Sequence, residues 1–306
     1  MTSADDRGAG PRPRAGEKQP KSVAQWESYR TRSTVKPFLK WAGGKRQLLP
    51  EIRRSIPSSF RTYYEPFLGA GAVLFDLQPA QAVVNDFNDQ LMLTYRAVRD
   101  DVEQLISLLE VHKLMNSSDY FYEVRGLDRN TASFGELSHV EKAARLIYLN
   151  KTCYNGLYRV NSQGLFNVPY GRYKNPLICE ADALRAVSFY LREHDVALMC
   201  GDFSDVVGKA RPGDFVYFDP PDHSANSTNF TSYQAGGFSE SEQERLRDVF
   251  AWLTERGVKC LLSNSDTGFI RALYGGFTVE TVSASRAINA DSSGRGKVNE
   301  VLIRNW

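Results

Sequence analysis

From Val35 onward, short apolar runs of strand length alternate with longer segments whose apolar residues recur at helical spacing. The strand-length runs lie at 62–64, 82–85, 195–200, 214–218, 258–263, 277–282 and 298–303. Two helical segments begin at pairs that match the capping-box pattern, Ser138 with Glu141 and Ser239 with Glu242. Alternating strands and helices predict an α/β fold with a mainly parallel, doubly wound sheet, in which ligands bind at the carboxyl ends of strands.

Two regions depart from this alternation. Residues 1–34 are rich in Gly, Pro, Arg and Lys, which predicts a disordered, slightly basic tail; a solvated leader, a cloning remnant and a DNA-tethering arm all fit it. The segment Tyr154–Pro176 is dense in Asn, Gly, Tyr and Arg, with turn signals at Asn155-Gly156 and Gln163-Gly164. It predicts a hairpin within an inserted, mostly helical subdomain. The predicted division is a tail at 1–34, a core at 35–90 and 195–306, and the subdomain at 91–194.

Composition adds few constraints. The 306 residues suffice for one large domain with an insertion, and a net charge of +2 means that any basic surface is local. The four cysteines form no CxxC pair, which predicts reduced core residues rather than a disulfide frame or a zinc site. No apolar run approaches the roughly 18 residues of a membrane span, and no secretory h-region is visible. We therefore expect a cytoplasmic protein.

A glycine-rich turn follows the first predicted strand, in the sequence EPFLGAGAV from Glu65 to Val73. A strand, a glycine turn and a helix near Ala70 let the backbone approach a nucleotide-like ligand. Asp86, after the second strand, can accept hydrogen bonds from ribose hydroxyls, although it could equally be the N-cap of a helix. The turn lacks the Gly-Lys-Ser/Thr of a phosphate loop and carries an acid, which favours a cationic or amine-bearing ligand over a pyrophosphate.

Two further stretches carry candidate chemistry. FLKWAGGK places Trp41 between Lys40 and Lys45 at a Gly-Gly turn, which suits stacking on a base or a cofactor, although a capped helix alone would explain it. FDPPD ends an apolar run and sets two rigid prolines between Asp219 and Asp222. These residues alone are compatible with an active site, with an altered active site, or with a strand that ends in a Pro-Pro turn.

Taken in order, the motifs resemble those of one family. They are LKWAGGK, EPFLGAGAV, NDFN, NGLYRVNSQGLFNVPYGRY, GDF (Gly201–Phe203), DPPD, LLSNS and RAINADSSGRGKVNEVLI (Arg286–Ile303). This order is similar to that of Dam-type DNA adenine-N6 methyltransferases (D12 class, alpha group), over about residues 36–304. The resemblance implies a Rossmann-like S-adenosylmethionine-dependent core with an inserted target-recognition subdomain.

The resemblance also implies roles for the matched residues. S-adenosylmethionine would contact Trp41, Lys45, Glu65, Pro66, Phe67, Gly69, Gly71, Asp86, Asp202, Phe203 and Asp219. Within that set, Trp41 and Lys45 would lie at the methionine end, Asp86 at the ribose, and Asp202 and Phe203 at the adenine. Double-stranded DNA would contact Lys40, Tyr158, Arg159, Asn161, Gln163 and Arg172. The family needs no metal and commonly works as a monomer, so we expect neither a metal site nor a membrane partner, and we expect a monomer.

The catalytic motif departs from the family at its last position. In the family, the first carboxylate, here Asp219, and the next main-chain carbonyl, here Pro220, hold the hydrogens of N6 on a flipped-out adenine, and the rigid prolines Pro220 and Pro221 fix both groups. The fourth residue is normally an aromatic that stacks on the adenine, but here it is Asp222. Losing a base–aromatic stack costs about 1–3 kcal/mol.

Three explanations of Asp222 stay open. A neighbouring ring replaces the stack, with candidates Tyr217, Phe230 and Tyr233. Alternatively, the site is naturally weak or altered in substrate. The third explanation is a deliberately inactivated form, since one codon change converts Tyr to Asp.

The DNA sequence that is recognised is expected to be GATC or a related site. Arg can read guanine bidentately, and Asn or Gln can read adenine. Phosphate contact alone explains Arg159 and Arg172 equally well. Family members that read GATC often carry a basic residue where Gln163 stands, so recognition of one base pair is open.

The leading function is therefore a site-specific DNA adenine-N6 methyltransferase, bacterial or phage-encoded and associated with the nucleoid. Its rival is a catalytically impaired protein that binds DNA and cofactor, a reading that Asp222 alone favours. A small-molecule or RNA methyltransferase is disfavoured by the hairpin and by Arg286–Ile303. A dehydrogenase is disfavoured because the turn reads EPFLGAG and not GxGxxG.

Overall fold

The computed structural model describes residues 35–223, 238–285 and 297–306. At its centre is a seven-stranded sheet with the order β3-β2-β1-β4-β5-β7-β6. Its strands are β1 (Tyr63–Glu65), β2 (Gln81–Asp86), β3 (Asp195–Cys200), β4 (Phe215–Phe218), β5 (Lys259–Ser265), β6 (Thr278–Ser285) and β7 (Lys297–Arg304). Each strand falls on one of the apolar runs, so the predicted strands are confirmed.

The pairing is parallel from β3 through β2, β1 and β4 to β5. Strand β7 is antiparallel to both of its neighbours, β5 and β6. The connection between β6 and β7 spans residues 286–296, which is shorter than the dozen or so residues that a parallel crossover needs. The predicted mainly parallel sheet is therefore confirmed, with an antiparallel addition at one edge.

Helices fill the connections between the strands. They are α1 (Leu49–Ser55), α2 (Ala72–Leu77), α3 (Asp89–Asp100), α4 (Val102–Met115), α5 (Ser118–Gly126), α6 (Thr131–Glu136), α7 (His139–Thr152), α8 (Ala181–Glu193), α9 (Phe203–Val207), α10 (Glu240–Glu255) and α11 (Gly268–Leu273). Among these described residues, no helix is both long and apolar enough to cross a bilayer.

Helix starts follow the sequence with two differences. Ser138 and Glu141 form the predicted reciprocal capping box at α7. At α10 only half of the box is present, because the Ser239 side chain caps the helix while the Glu242 carboxylate pairs with an arginine one turn later. The helix after the glycine turn begins at Ala72 rather than near Ala70, because Gly71 in the left-handed region is its N-cap.

The helices between β2 and β3 do not form a separate core. Buried side chains of α3, α4, α7 and α8 belong to the same hydrophobic cluster as those of β1 and β2. A second cluster lies between β4, β5, β7 and α10. The subdomain boundaries at 91 and 194 therefore stay a prediction.

One expectation about the cysteines is wrong. Cys153 and Cys260 are buried and Cys179 is half-buried, but Cys200 is exposed. Cys200 is the last residue of β3, an edge strand of the sheet, and Met199 before it is exposed as well, so this end of the strand lies at the surface.

Candidate active site

The predicted site residues follow the carboxyl ends of four neighbouring parallel strands. Glu65 ends β1 and Asp86 ends β2. Asp202 is the second residue after β3, and Asp219 comes directly after β4. Because parallel strands end at the same edge of a sheet, these acids surround one region, as expected for a doubly wound fold.

A buried lysine fixes the Asp219 carboxylate. Lys45, only 4% exposed, places its Nζ 2.9 Å from Asp219 Oδ1 and 3.6 Å from Glu300 Oε2. Ser263 Oγ donates to the same Asp219 oxygen at 2.9 Å and shares a 2.8 Å hydrogen bond with the Tyr217 hydroxyl. The sequence did not pair Lys45 with Asp219, since the lysine was expected at the cofactor. A buried charge needs a partner, so the pair holds both groups in place.

The electrostatics of this pair favour both charges at neutral pH. Burial raises the pKa of Asp219 to about 6, although Lys45 and Ser263 oppose the rise. Burial also works against the Lys45 charge, but the carboxylates of Asp219, Asp222 and Glu300 outweigh it and hold the pKa of Lys45 above its ordinary value. Asp219 is therefore an ionised acceptor above about pH 6, and Lys45 remains a cation.

The Pro-Pro loop, residues 219–223, is held from the interior by two buried amides. Gln243 Nε2 on α10 donates to the Pro221 carbonyl at 3.0 Å. Asn264 Oδ1 on β5 accepts from His223 N at 3.1 Å, and Asn264 Nδ2 donates to Gln243 Oε1 at 3.1 Å. Both amides are fully buried, so the backbone of the loop is fixed at Pro221 and at His223 by groups from the interior. Composition gave no signal for Gln243, which reads as an ordinary helix residue.

The structure excludes one of the three rings that could replace the stack missing at Asp222. Tyr217 is fully buried in β4 and its hydroxyl is bonded to Ser263, so its ring cannot stack on a base in the site. That candidate is wrong, because inward-facing strand residues lie in the core. Phe230 and Tyr233 lie outside the described residues. Asp222 itself is half-buried and close enough to Lys45 and Asp219 to influence both.

The glycine loop, residues 65–71, is closed by the Asp86 carboxylate. Asp86 Oδ2 accepts from Gly69 N at 2.9 Å, and Oδ1 accepts from Asn88 N at 3.0 Å. Asn88, and not Asp86, is the N-cap of α3, so the helix-cap alternative for Asp86 is wrong. A Cβ on Gly71 would lie 2.8 Å from the Tyr95 hydroxyl, which leaves only glycine at this turn.

These surroundings fit the sulfonium and ammonium groups of S-adenosylmethionine. Burial raises the pKa of Glu65 well above its ordinary range, helped by the charges of Asp219 and Asp86 and opposed by the bond from Tyr63. Burial likewise raises the pKa of Asp86. Burial and mutual repulsion disfavour the ionised forms of these carboxyl groups. A cation that binds nearby stabilises the ionised forms, so the site favours a cationic ligand. Asn85 lies between the glycine loop and the turn after β3, where its amide nitrogen donates to the Pro66 and Gly201 carbonyls. Its side-chain oxygen is buried without a hydrogen-bond partner among the described residues.

Asp202 and Phe203 lie beside an arginine that the sequence analysis did not single out. Arg245 on α10 donates to Asp202 through both terminal nitrogens, at 2.9 and 2.7 Å, and lies 4.2 Å from the Phe203 ring centre. The Arg245 hydrogen bond is the main reason that the pKa of Asp202 is well below its ordinary value. Phe203 also packs against Phe67 of the glycine loop at 5.2 Å. These groups form one wall at the end of β3, where the adenine end of the cofactor was expected.

Trp41 and Tyr158 stack on each other. Their ring centres are 4.9 Å apart and the rings are nearly parallel. Trp41 is half-buried rather than exposed between its lysines, and a Cβ on Gly69 would lie 3.1 Å from its ring. Predicted cofactor and DNA residues are therefore in direct contact. Lys40 is exposed, with its Nζ 5.2 Å from the Tyr173 ring centre.

The predicted hairpin is present as the loop of residues 153–171, called the hairpin loop below. It is bridged at Cys153–Tyr170 and Val160–Phe166. Gly164 closes the tip by donating to the Asn161 carbonyl, whereas Asn155-Gly156 lies in a single 3-10 turn and not at a hairpin end.

Four polar residues of the segment Tyr154–Pro176 were predicted to contact DNA, and they differ in exposure and in the hydrogen bonds that they make within the protein. Arg159, Gln163 and Arg172 are exposed. Arg159 Nε donates to Asn167 Oδ1 at 2.8 Å, which uses one of the five guanidinium hydrogens. The Asn161 side-chain oxygen accepts from Gln163 N and Leu165 N at 3.0 Å, so it shapes the tip. The structure thus places two exposed donors, Arg159 and Gln163, on the hairpin loop, and a third, Arg172, directly after it.

An ion-paired cluster anchors the hairpin loop to α5 and α7. Asp128 Oδ2 accepts from Phe166 N at 2.9 Å and pairs with Arg145 at 2.9 Å. Arg129 pairs with Asp128 and donates to the Phe166 carbonyl. The loop therefore projects from a rigid base.

No group of metal-ligating side chains occurs within the ranges that the structure describes. Comparison with known proteins identifies the family of the chain. The family model for D12 class N6 adenine-specific DNA methyltransferases matches residues 41–288. The Type II methyltransferase M1.LlaDCHI of Lactococcus lactis subsp. cremoris is 46% identical over 273 residues, which are 89% of this chain and 96% of that protein.

Two other relatives match over nearly the same extent. The Type II methyltransferase M.MjaIII of Methanocaldococcus jannaschii is 42% identical over 293 residues, covering 89% of this chain and 99% of that protein. The DNA adenine methylase of Serratia marcescens is 37% identical over 270 residues, covering 87% and 96%. The chain therefore belongs to the D12 class of N6 adenine-specific DNA methyltransferases, which depend on S-adenosylmethionine.

Proposed function

We propose that this enzyme methylates N6 of adenine at GATC or a related sequence in double-stranded DNA, and that Asp219 holds the target amine. The observation that carries the proposal is the position of the Asp219 carboxylate. It is fixed by Lys45 at 2.9 Å and Ser263 at 2.9 Å, beside the acid-lined glycine loop. The relatives named DNA adenine methylase and Type II methyltransferase support the reaction class.

The proposed mechanism depends on orienting a weak nucleophile. The exocyclic N6 lone pair of adenine is delocalised into the ring, and two acceptors that hold its hydrogens turn it toward sp³ character. Asp219 accepts one hydrogen and the Pro220 carbonyl accepts the other, while Gln243 fixes the turn through the neighbouring Pro221 carbonyl. Bound S-adenosylmethionine supplies the methyl group on its sulfonium. Positioning and electrostatics account for most of the rate.

The pKa of Asp219 predicts how the rate depends on pH. The Asp219 carboxylate must be ionised to accept a hydrogen from the amine. We therefore expect the single-turnover rate to rise from about pH 5 to about pH 7.5, with a midpoint at about pH 6. Because the Asp222 charge raises the pKa of Asp219, Asp222→Asn should move the midpoint to lower pH. A profile that is flat from about pH 5 to 8 would contradict the assignment of Asp219.

The sequence preference is tested with randomised DNA. The exposed Arg159, Gln163 and Arg172 can reach base edges or phosphates. We expect GATC or a one-base variant to be enriched among methylated members of a randomised-site library, with relaxed reading at one base pair because Gln163 is not basic. Methylated adenines without any enriched context would show that the hairpin loop does not specify the site.

A second candidate is a catalytically impaired form that binds DNA and cofactor. The departure at Asp222 favours it, because a carboxylate offers no face for stacking. The two candidates separate in one assay, since the impaired form would bind duplex DNA and the inert cofactor analogue sinefungin without transferring a methyl group.

The proposed setting is the cytoplasm of a bacterium or phage-infected cell, where the enzyme would act as a monomer on nucleoid DNA. The Type II names of the two relatives favour a restriction-modification role over a solitary one. The subdomain 91–194 would contact the target, and the tail 1–34, outside the described residues, has no assigned role.

A further inference from the structure

One buried amide joins the segment that carries Trp41 to the hairpin loop. We call residues 38–45 the lysine turn. Asn150, in the last turn of α7 and 1% exposed, accepts from Lys40 N at 2.9 Å and donates to the Lys40 carbonyl at 2.8 Å. Its Nδ2 also donates to the Gly156 carbonyl at 3.0 Å. A single side chain therefore bonds the backbones of the lysine turn and the hairpin loop.

The same two segments are packed without free space between them. A Cβ on Gly156 would lie 2.3 Å from Lys40 Cδ and 3.2 Å from the Asn150 carbonyl oxygen. Gly156 has a φ of +65°, so its backbone is in the left-handed region as well. The two segments are therefore in direct contact at Gly156 and Lys40, and neither can move toward the other at this point.

A second contact runs parallel to the first. Trp41, the residue after Lys40, lies against Gly69 of the glycine loop on one side and stacks on Tyr158 of the hairpin loop on the other. Tyr158 in turn packs edge-on against Phe166, at 5.9 Å between ring centres. Contacts thus continue from the glycine loop to the part of the hairpin loop that bears Arg159.

We propose that Asn150 couples the binding of S-adenosylmethionine to the binding of target DNA. The proposal rests on the proposed function, since it takes Trp41 and Lys45 of the lysine turn as cofactor contacts, and Lys40 together with the hairpin loop as DNA contacts. Asn150 is a positioning residue, because it acts through Lys40 and Gly156 and touches neither ligand. When one ligand orders its own segment, the shared amide orders the other, and the coupling must be equal in both directions.

The test measures the affinity for sinefungin by calorimetry, with and without a saturating GATC duplex. For the full-length chain we expect the duplex to tighten sinefungin by at least about fivefold, the lower end of typical couplings. Asn150→Ala should bring this ratio close to one while sinefungin alone still binds. Asn150→Ser serves the same purpose if the alanine variant melts at a much lower temperature.

Asn85 provides a matched control. It is also a buried asparagine at 1% exposure, and its Nδ2 donates to the Pro66 and Gly201 carbonyls at 3.0 Å each. It therefore joins two cofactor segments to each other and does not reach the hairpin loop. We expect Asn85→Ala to weaken sinefungin but to leave the ratio with and without duplex unchanged.

The outcomes separate the coupling from the function. A chain that neither binds the duplex nor methylates it overturns the proposed function. An active chain whose ratio is one, or whose ratio survives both Asn150 variants, overturns the coupling alone. Loss of the ratio in Asn85→Ala as well would show that any damage to the cofactor site abolishes it, which also contradicts a specific role for Asn150.

Discussion

Asp219→Ala is expected to lower the single-turnover rate of methyl transfer to GATC duplex by about 10²- to 10³-fold, the usual effect of removing one preorganised electrostatic group. The carboxylate is the acceptor that Lys45 and Ser263 fix at the end of β4. Asp219→Asn keeps the shape and removes the charge, so it should lose less. The measurement is transfer of a tritiated methyl group with enzyme in excess.

The loss must be separated from misfolding and from weaker cofactor binding. Removing Asp219 leaves the buried Lys45 with Glu300 at 3.6 Å, so some loss of stability accompanies the change. Asp76→Ala is the matched control, because it removes a half-buried carboxylate from an ion pair that joins Asp76 of α2 to Arg53 of α1, away from Lys45 and Ser263. Thermal melting and sinefungin affinity are compared for both variants. If folded Asp219→Ala transfers methyl groups at the original rate, Asp219 does not hold the amine.

The sequence predicts the sheet well because its signals are local. Each strand is a short apolar run, and the start of α7 is set by Ser138 and Glu141 within one turn. The position of the acids at one edge follows from parallel pairing alone. The position of β7, antiparallel between β5 and β6, does not follow from the sequence, because the alternation of strands and helices along the chain does not determine the order of the strands in the sheet.

The partners of the site residues depend on distant segments, so they were not predictable. Lys45 follows a Gly-Gly turn and the resemblance assigns it to the cofactor, yet burial against β7 brings it to Asp219 and Glu300. Arg245 and Asn150 read as ordinary polar helix positions, and only the packing of their helices aims them at Asp202 and at the lysine turn. The family resemblance supplied roles by motif, and Arg245 and Asn150 lie outside the motifs that carried it.

Asp222→Tyr is expected to raise the single-turnover rate by about 5- to 160-fold, which corresponds to about 1–3 kcal/mol of base stacking. The rise assumes that no other ring contacts the flipped adenine. Tyr217 cannot do so, since it is buried and bonded to Ser263. The change also removes one of the carboxylates that act on Lys45, while Asp219 and Glu300 remain within 3.6 Å of its ammonium group.

Two matched variants separate the ring from the charge. Asp222→Phe supplies a ring without a hydroxyl and should recover most of the gain, whereas Asp222→Asn removes the charge without a ring and should recover little of it. Equal gains for Tyr, Phe and Asn would show that the negative charge, and not the missing stack, limits the reaction. Unchanged rates in all three would show that another ring already stacks on the base. In that case the family's fourth motif position is dispensable in this chain, and the reading of Asp222 as a defect is wrong.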